Sequence, residues 1–573
     1  MAIATLMNFS QEQEPSRRTI GLKWARLAAF LAPMLFLTLV GAEADVPAVL
    51  GETTRVSVAS DGTQANDWSI QPAISVDGRY VAFASDASNL VAGDTNNKRD
   101  IFVHDRLTGA TTRVSVDSDG AQANNSSFEP GISADGRYVA FASDASNLVA
   151  GDTNNVRDVF VHDRVTGETT RVSVASDGMQ ANRASELAAI SADGGYVAFH
   201  SDASNLVAGD TNNVRDVFVH DRVTGETTRV SVASDGTQAN SSSILPQVSA
   251  DGRYVTFTSF ANNLVAGDSN RTWDVFVHDR VTGETTRVSV ASDGTQAGGE
   301  SVWPAISADG RYVAFHSWAS NLVADDTNGT LDVFVHDRVT GETTRVSVAS
   351  DGMQANGFSG FSKLSADGRY VVFLSVASNL VAGDTNNFSD IFMHDRVTGE
   401  TTRVSVASDG TQANAGSAEP AISADGRYVA FPSYASNLVA GDTNGEADIF
   451  VHDRFPRPEL VPAKVDLHPK SLNLRSRGRS VIAYISLPEC CSIHDIDPMT
   501  VKLTKVNGEP LTTELTAFRS DVQGSNLLMV QFSRRDLNPQ LASYSPGEVE
   551  LTIEGELNEG AAFFATDWIY VFN

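Results

Sequence analysis

The chain of 573 residues carries 42 basic and 71 acidic side chains, a formal net charge of -29, and is 41% hydrophobic with two cysteines. That length holds a sizeable core and more than one domain, while the acidic balance argues against a nucleic-acid partner, which needs a basic stripe to displace counterions. Cys490 and Cys491 are adjacent, and neighbouring Cα atoms about 3.8 Å apart fall below the ordinary bridging range, so no disulfide framework is expected and stability rests on packing.

At the N-terminus Arg17, Arg18, Lys23 and Arg26 precede an apolar run from Leu27 to Val40 and the small-residue pattern Ala42-Glu43-Ala44. This is the layout of a secretory signal over residues 1–44. The run is too short for a comfortable membrane span, and Ser16-Arg17-Arg18-Thr19-Ile20 has the twin-arginine pattern. The expectation is an exported chain, periplasmic or extracellular, with no transmembrane segment once the signal is removed.

After a short lead-in (45–52), one 58-residue unit repeats. DGRYVAF or a near variant begins at Asp77, Asp135, Asp193, Asp251, Asp309, Asp367 and Asp425. TTRVSV also occurs seven times, yet its first copy, at Thr53, precedes any DGRYVAF, and the last unit stops at Arg454 without one. A linear solenoid has no use for that offset. A ring does, because its first strand completes the last repeat, so the pattern predicts a seven-bladed β-propeller over residues 53–454 closed by an N-terminal strand.

Within one unit, a strand ends near Ile74-Ser75, Asp77-Gly78 turns, and Tyr80 to Ala84 is apolar on both alternating faces, as a doubly covered strand must be. Ile101-Phe102-Val103-His104 repeats that character, and Thr108-Gly109 turns into Thr112 to Val116, whose alternation fits a half-exposed outer strand. IS-x-DGRYVAF and DIFVHD resemble the WD-like repeats of TolB-type propellers from bacterial export pathways. The resemblance covers Thr53 to Arg454 and implies a fold. TolB itself has six blades, a Pro where this chain has Val76 or Ala134, and a separate α/β domain not seen here, so its envelope-assembly role is kept only as a second alternative.

Pro456, Pro458 and Pro462 mark a stiff linker (455–462). Beyond it, strand-like runs at Ser480 to Leu487, Leu527 to Phe532, Val549 to Glu554 and Trp568 to Phe572 predict a small β-sandwich over 463–573. Val465-Asp466-Leu467-His468-Pro469, Asp497-Pro498-Met499-Thr500-Val501 and Thr566-Asp567 resemble a C-terminal accessory module of secreted bacterial proteins.

Both long connections of each blade share one face, the expected recognition surface. One column there reads Asp86, Asp144, Asp202, Phe260, Trp318, Val376 and Tyr434; a second variable region supplies Trp68, Glu129, Glu186, Glu300, Trp303, Phe358, Phe361 and Glu419. Rings that stack on sugar faces beside carboxylates that accept hydroxyl hydrogen bonds suit a carbohydrate, and neutral drift with gap-filling aromatics is the competing reading. Asp94, Asn96 and Asp100, repeated as Asp152, Asn154 and Asp158, offer calcium-type oxygens, although Asx turns explain the same spacing more simply and no other cofactor is expected. Seven histidines (His104, His162, His220, His278, His336, His394 and His452) read as core imidazoles. His200 and His316 break the pattern and are the candidate catalytic groups. No nucleophile elbow, HExxH or phosphate-cradling loop occurs.

The reading is an all-β, monomeric, exported recognition or scaffold protein binding a protein or glycan without turnover. The alternative is a polysaccharide lyase or hydrolase on the same face.

Overall fold

The computed structural model describes residues 51–454, 460–476, 478–487, 493, 496–523, 527–557 and 562–572; the segment 1–44 expected to be a signal, residues 455–459 of the expected linker and the cysteine pair lie outside them. From Glu52 to Asp453 the chain is a succession of four-stranded antiparallel sheets. In the first, Ser69–Ile74, Tyr80–Ser85, Asp100–Asp105 and Ala110–Arg113 lie side by side in chain order, and the sheets that begin at Ser127, Ser185, Ser243, Ser301 and Ser359 copy it. The last sheet differs in origin. Its order is Glu52–Arg55, Asp448–Asp453, Tyr428–Ser433, Ala421–Ile422, so its outer strand comes from the N-terminus, with Glu52 opposite Asp453 and Arg55 opposite Phe450.

The middle strands explain the packing. Val81, Ala82, Phe83 and Ala84, and Ile101, Phe102 and Val103, are wholly buried. Phe83 and Phe102 are cross-strand partners stacked at 6.0 Å. Their outward faces meet the neighbouring sheets: Ala82, Ala84, Ile101 and Val103 pack on Val139, Phe141 and Phe160 of the second sheet, while Val81, Phe83 and Phe102 pack on Ala430, Ile449 and Val451 of the last. Each buried Phe contributes about 1.5–3 kcal/mol. First strands also touch first strands from sheet to sheet, and that of the last sheet touches that of the first. The strands thus close on themselves as the repeat offset requires, in the manner of a β-propeller.

Two recurring joints lock neighbours together. At the short-turn end, Gly136 takes φ +71 and lies so close to the Tyr80 ring that a Cβ there would overlap it; the Arg79 and Arg164 guanidinium groups lie 4.8 and 4.5 Å from the same ring. Gly78 meets Tyr428 in the same way, making the closing joint of the same parts. The second joint uses the repeated histidines. Thr111 Oγ1 donates to Val58 O of the preceding sheet at 2.5 Å, so it accepts from His104 Nδ1–H at 2.8 Å. His104 is a buried, hydrogen-bonded core imidazole.

Beyond residue 460 two further sheets share one apolar core. One orders Leu460–Pro462, Ala562–Phe572, Gly547–Leu557, Ile496–Val506 and Glu509–Thr516, with Ser471–Asn473 also on Ala562–Phe572; the other orders Lys464–His468, Ser480–Ser486, Leu528–Ser533 and Arg519–Val522. Val481, Ile485, Val530 and Phe532 of the second meet Leu503, Leu551, Ile553 and Phe563 of the first. The strands from Ile496 to Val522 and the helix Arg534–Leu541 were not expected from sequence. Among the described residues no helix is long and apolar enough to cross a membrane.

Candidate functional site

The two variable columns meet at the long-loop end of each sheet. Asp86 N donates to Trp68 O at 2.9 Å and Trp318 N to Glu300 O at 2.9 Å, so the residue ending the second strand is tied to the residue before the first. Ser127 N donates to Arg99 O at 2.8 Å, bringing the start of the next sheet to the same edge.

The aspartates of this edge are paired with arginines. Asp86 meets Arg99 (2.6 Å), Asp144 meets Arg157 (2.9 Å) and Asp202 meets Arg215 (2.8 Å), each arginine 13 residues on. In the fourth sheet the same two positions are Phe260 and Trp273, packed edge to face at 5.6 Å. An ion pair has been exchanged for an aromatic pair. The arginine column was missed in the sequence reading, although stepping 58 residues from Arg99 exposes Arg157, Arg215 and Trp273. Phe260, Trp318, Tyr434 and Trp68 are 42%, 54%, 50% and 43% exposed, presenting ring surface to solvent. Trp68 Nε1 donates to Glu446 of the last sheet.

His200 and His316 occupy equivalent positions with different surroundings. His200 is buried, with Nε2 3.6 Å from Glu186 Oε2 and 3.4 Å from Arg215 Nη1, and its Nδ1 has no partner. Glu186 also lies 3.3 Å from Arg157. The His200 imidazole and the two guanidinium groups hold the Glu186 carboxyl below its usual value, and burial lowers His200. His316 is 4% exposed and accepts the Phe361 N–H on Nδ1 at 3.2 Å. Its ring lies edge to face with Phe361 at 5.7 Å, and Phe361 packs on Trp303 at 5.1 Å and Phe358 at 6.3 Å. Burial pushes His316 down to about 3, leaving a neutral ring beneath an aromatic cluster.

The first strands carry a bulge that sequence did not reveal. Gln71, Glu129, Leu187, Leu245, Trp303 and Phe361 adopt φ +54 to +58, each at a break in register with the second strand. Glu129 N donates to Gln71 Oε1, and Leu187 N to Glu129 Oε2, both at 3.1 Å, so the bulges of the first three sheets are bonded from sheet to sheet. Burial pushes Glu129 up to about 7, with repulsion from Glu186 and Glu419 adding to it. Glu419 is raised by burial and opposed by Lys363, which burial lowers in turn.

In the second long loop, Arg113 Nη1 lies 3.4 Å from Asp94 and 3.5 Å from Asp100. Asn96 Oδ1 accepts the Lys98 N–H at 2.8 Å in an Asx turn, its amide donates to Asp100 and Ala123 O, and Ser115 Oγ donates to Asp100 at 2.5 Å. Asp152, Asn154 and Asp158 repeat this around Arg171. A guanidinium thus sits among the oxygens that suggested calcium. Burial pushes Asp100 up to about 6. Among the described residues no three His, Cys, Asp or Glu side chains gather as a metal site.

No family model matches the chain, and no curated protein matches it. Among solved structures it is similar to an oligogalacturonate lyase from Vibrio parahaemolyticus (15% identity over 70% of this chain and 93% of that one, TM-score 0.42) and to TolB from Acinetobacter baumannii (14% identity over 62% and 76%, TM-score 0.32). It is also similar to an acylaminoacyl peptidase from Pyrococcus horikoshii, at 11% identity over 87% and 64% with TM-score 0.41.

Proposed function

We propose that this chain is an exported recognition protein: a seven-bladed propeller, followed by a small β-sandwich, that binds a glycan or protein on its long-loop face without turning it over. The observation that carries this reading is the split of that face. Asp86, Asp144 and Asp202 are locked to arginines on one side, and exposed rings at Phe260, Trp318 and Tyr434 lie on the other. Exposed rings stack on sugar faces or seat apolar side chains, and fixed ion pairs present oriented polar edges. His316 supports binding over chemistry, since it is neutral, buried and already bonded to backbone. Export places such a protein in the periplasm or outside the cell.

One cluster favours a second reading. Glu186, His200 and Arg215 lie within 4 Å of one another with His200 Nδ1 unpartnered, a set that suits proton transfer beside an anionic substrate in a lyase or hydrolase. A glycan array followed by a product assay separates the two. Binding without products, lost in Trp318→Ala and kept in His200→Ala, supports recognition. Products that disappear in His200→Ala establish the enzyme, and no binding to glycans or to envelope proteins in a pull-down refutes the recognition reading.

A further inference from the structure

The second region, beyond the repeat, holds a cavity of about 600 Å³ lined by Arg475, Arg479, Arg534, Arg535, Gly478 and Asn538 among others, with no acidic residue in its wall. In a chain of net charge -29 this concentration of guanidinium groups is out of character. Among the described residues, the ion pairs of this region join His468, Lys470, Lys502 and Lys505 to carboxylates, and none involves the four arginines. The wall follows the helix Arg534–Leu541 from its first turn, where Arg534 N donates to Arg479 O at 3.2 Å, Ser533 makes no side-chain cap, and the other first-turn amides favour an anion against the one acidic residue there, Asp536.

Two buried atoms point to a ligand. Arg534 is 7% exposed; its Nη2 donates to Asn473 O (2.6 Å) and Ser476 Oγ (2.8 Å), while Nε is buried without a partner. Asn538 Nδ2 donates to Leu474 O at 2.9 Å, leaving Oδ1 as a buried acceptor without a donor. Gly478 lies so close to Arg534 Nη1 that any Cβ there would collide with it, so the loop is shaped to seat this guanidinium. Arg475, Arg479 and Arg535 are exposed around it and free to close on a charge.

We propose that this cavity binds an anionic sugar residue of an acidic polysaccharide. The carboxylate or sulfate is held by Arg475, Arg479 and Arg535 over the helix N-terminus, and a ring hydroxyl donates to Asn538 Oδ1. A buried unmet acceptor beside clustered cations asks for a ligand that carries both a negative charge and an O–H, which a uronate or a sulfated sugar does and inorganic sulfate does not.

The test is calorimetric titration of the full chain with polygalacturonate and heparin oligosaccharides, with dextran, inorganic sulfate and a single-stranded oligonucleotide as comparisons. At least one acidic glycan binds, its affinity falls with added salt, and dextran does not bind. Arg475→Ala/Arg479→Ala/Arg535→Ala, three exposed positions whose loss leaves the far-UV spectrum unchanged, weakens binding about tenfold or more, and Asn538→Ala weakens the glycan more than sulfate. Trp318→Ala leaves this binding unchanged, which separates the cavity from the propeller face. The proposal is overturned if neither acidic glycan binds, if the triple variant binds as well as the parent, or if sulfate or the oligonucleotide binds as tightly with the same sensitivity.

Discussion

Closure of the sheets by the N-terminal strand gives a measurable asymmetry in connectivity without one in packing. Val56 of that strand and Val230 of the third sheet stand in equivalent places: each is 1% exposed, and each donates its N–H to the adjacent strand, to Ile449 O at 2.8 Å and to Val217 O at 2.9 Å. Val230 is held by a short turn to its neighbour, whereas Val56 reaches Ile449 only by closing the ring. Val→Ala removes two methyl groups, about 1.6 kcal/mol of transfer free energy, and a residual cavity adds up to about 1 kcal/mol. Both substitutions are therefore expected to cost about 2 kcal/mol. Urea unfolding followed by tryptophan emission reads the repeat region, where Trp68, Trp273, Trp303 and Trp318 lie, four of the chain's six tryptophans. Equal losses mean that the closing strand unfolds together with the sheets. A loss under about 0.5 kcal/mol for Val56→Ala beside about 2 kcal/mol for Val230→Ala refutes the reasoning, because the strand would then detach before the rest unfolds.

Glu129→Gln keeps the acceptor for Leu187 N–H and copies Gln71. Glu129 has a folded value near 7 against an ordinary 4.5, so as pH rises between these values the unfolded chain releases a proton that the folded one retains, and stability falls across that window. The variant is expected to match the parent at pH 4 and exceed it at pH 8 in urea midpoint; equal midpoints at both pH values contradict the assignment. Gly195 stands where Arg79 and Arg137 bind Asp105 and Asp163 in a two-point pair, and Asp221 lacks that partner. Gly195→Ala raises stability by up to about 1 kcal/mol through the unfolded state; Gly195→Arg raises the melting temperature further, and 1 M salt removes the extra gain. Gly136→Ala, set against the Tyr80 ring, lowers stability more than Gly151→Ala, which has a similar φ and open space around it; the latter costs about 1–2 kcal/mol, and equal losses would mean that the ring contact contributes nothing.

The repeat offset was enough to foresee that Thr53 and its neighbours pair with the strand ending near Arg454, because strand exchange at a ring's seam leaves its mark in chain order. The mouth was harder. Asp86, Asp144 and Asp202 were legible as a column, but their loss of freedom depends on Arg99, Arg157 and Arg215 at the other end of the same loop, and an ion pair that bridges thirteen residues has no local signature. The bulges at Glu129 and Trp303 were invisible because a positive φ at a non-glycine residue runs against local preference and is imposed by tertiary packing. The Asn96 turn was legible because Asx turns are local. The arginine cavity was not, since Arg475 and Arg534 meet only after the chain has returned from a distant strand.

The Gly78–Tyr428 contact between the last and first sheets uses the same parts as Gly136–Tyr80, so this joint is built alike at the closure and inside the series. Where the backbone happens to start is then incidental to its mechanics. Circular permutants of the repeat region opened at other blades, with the old ends joined, should assemble the same annulus, which makes the protein a natural frame for moving termini away from any surface one wishes to leave unobstructed.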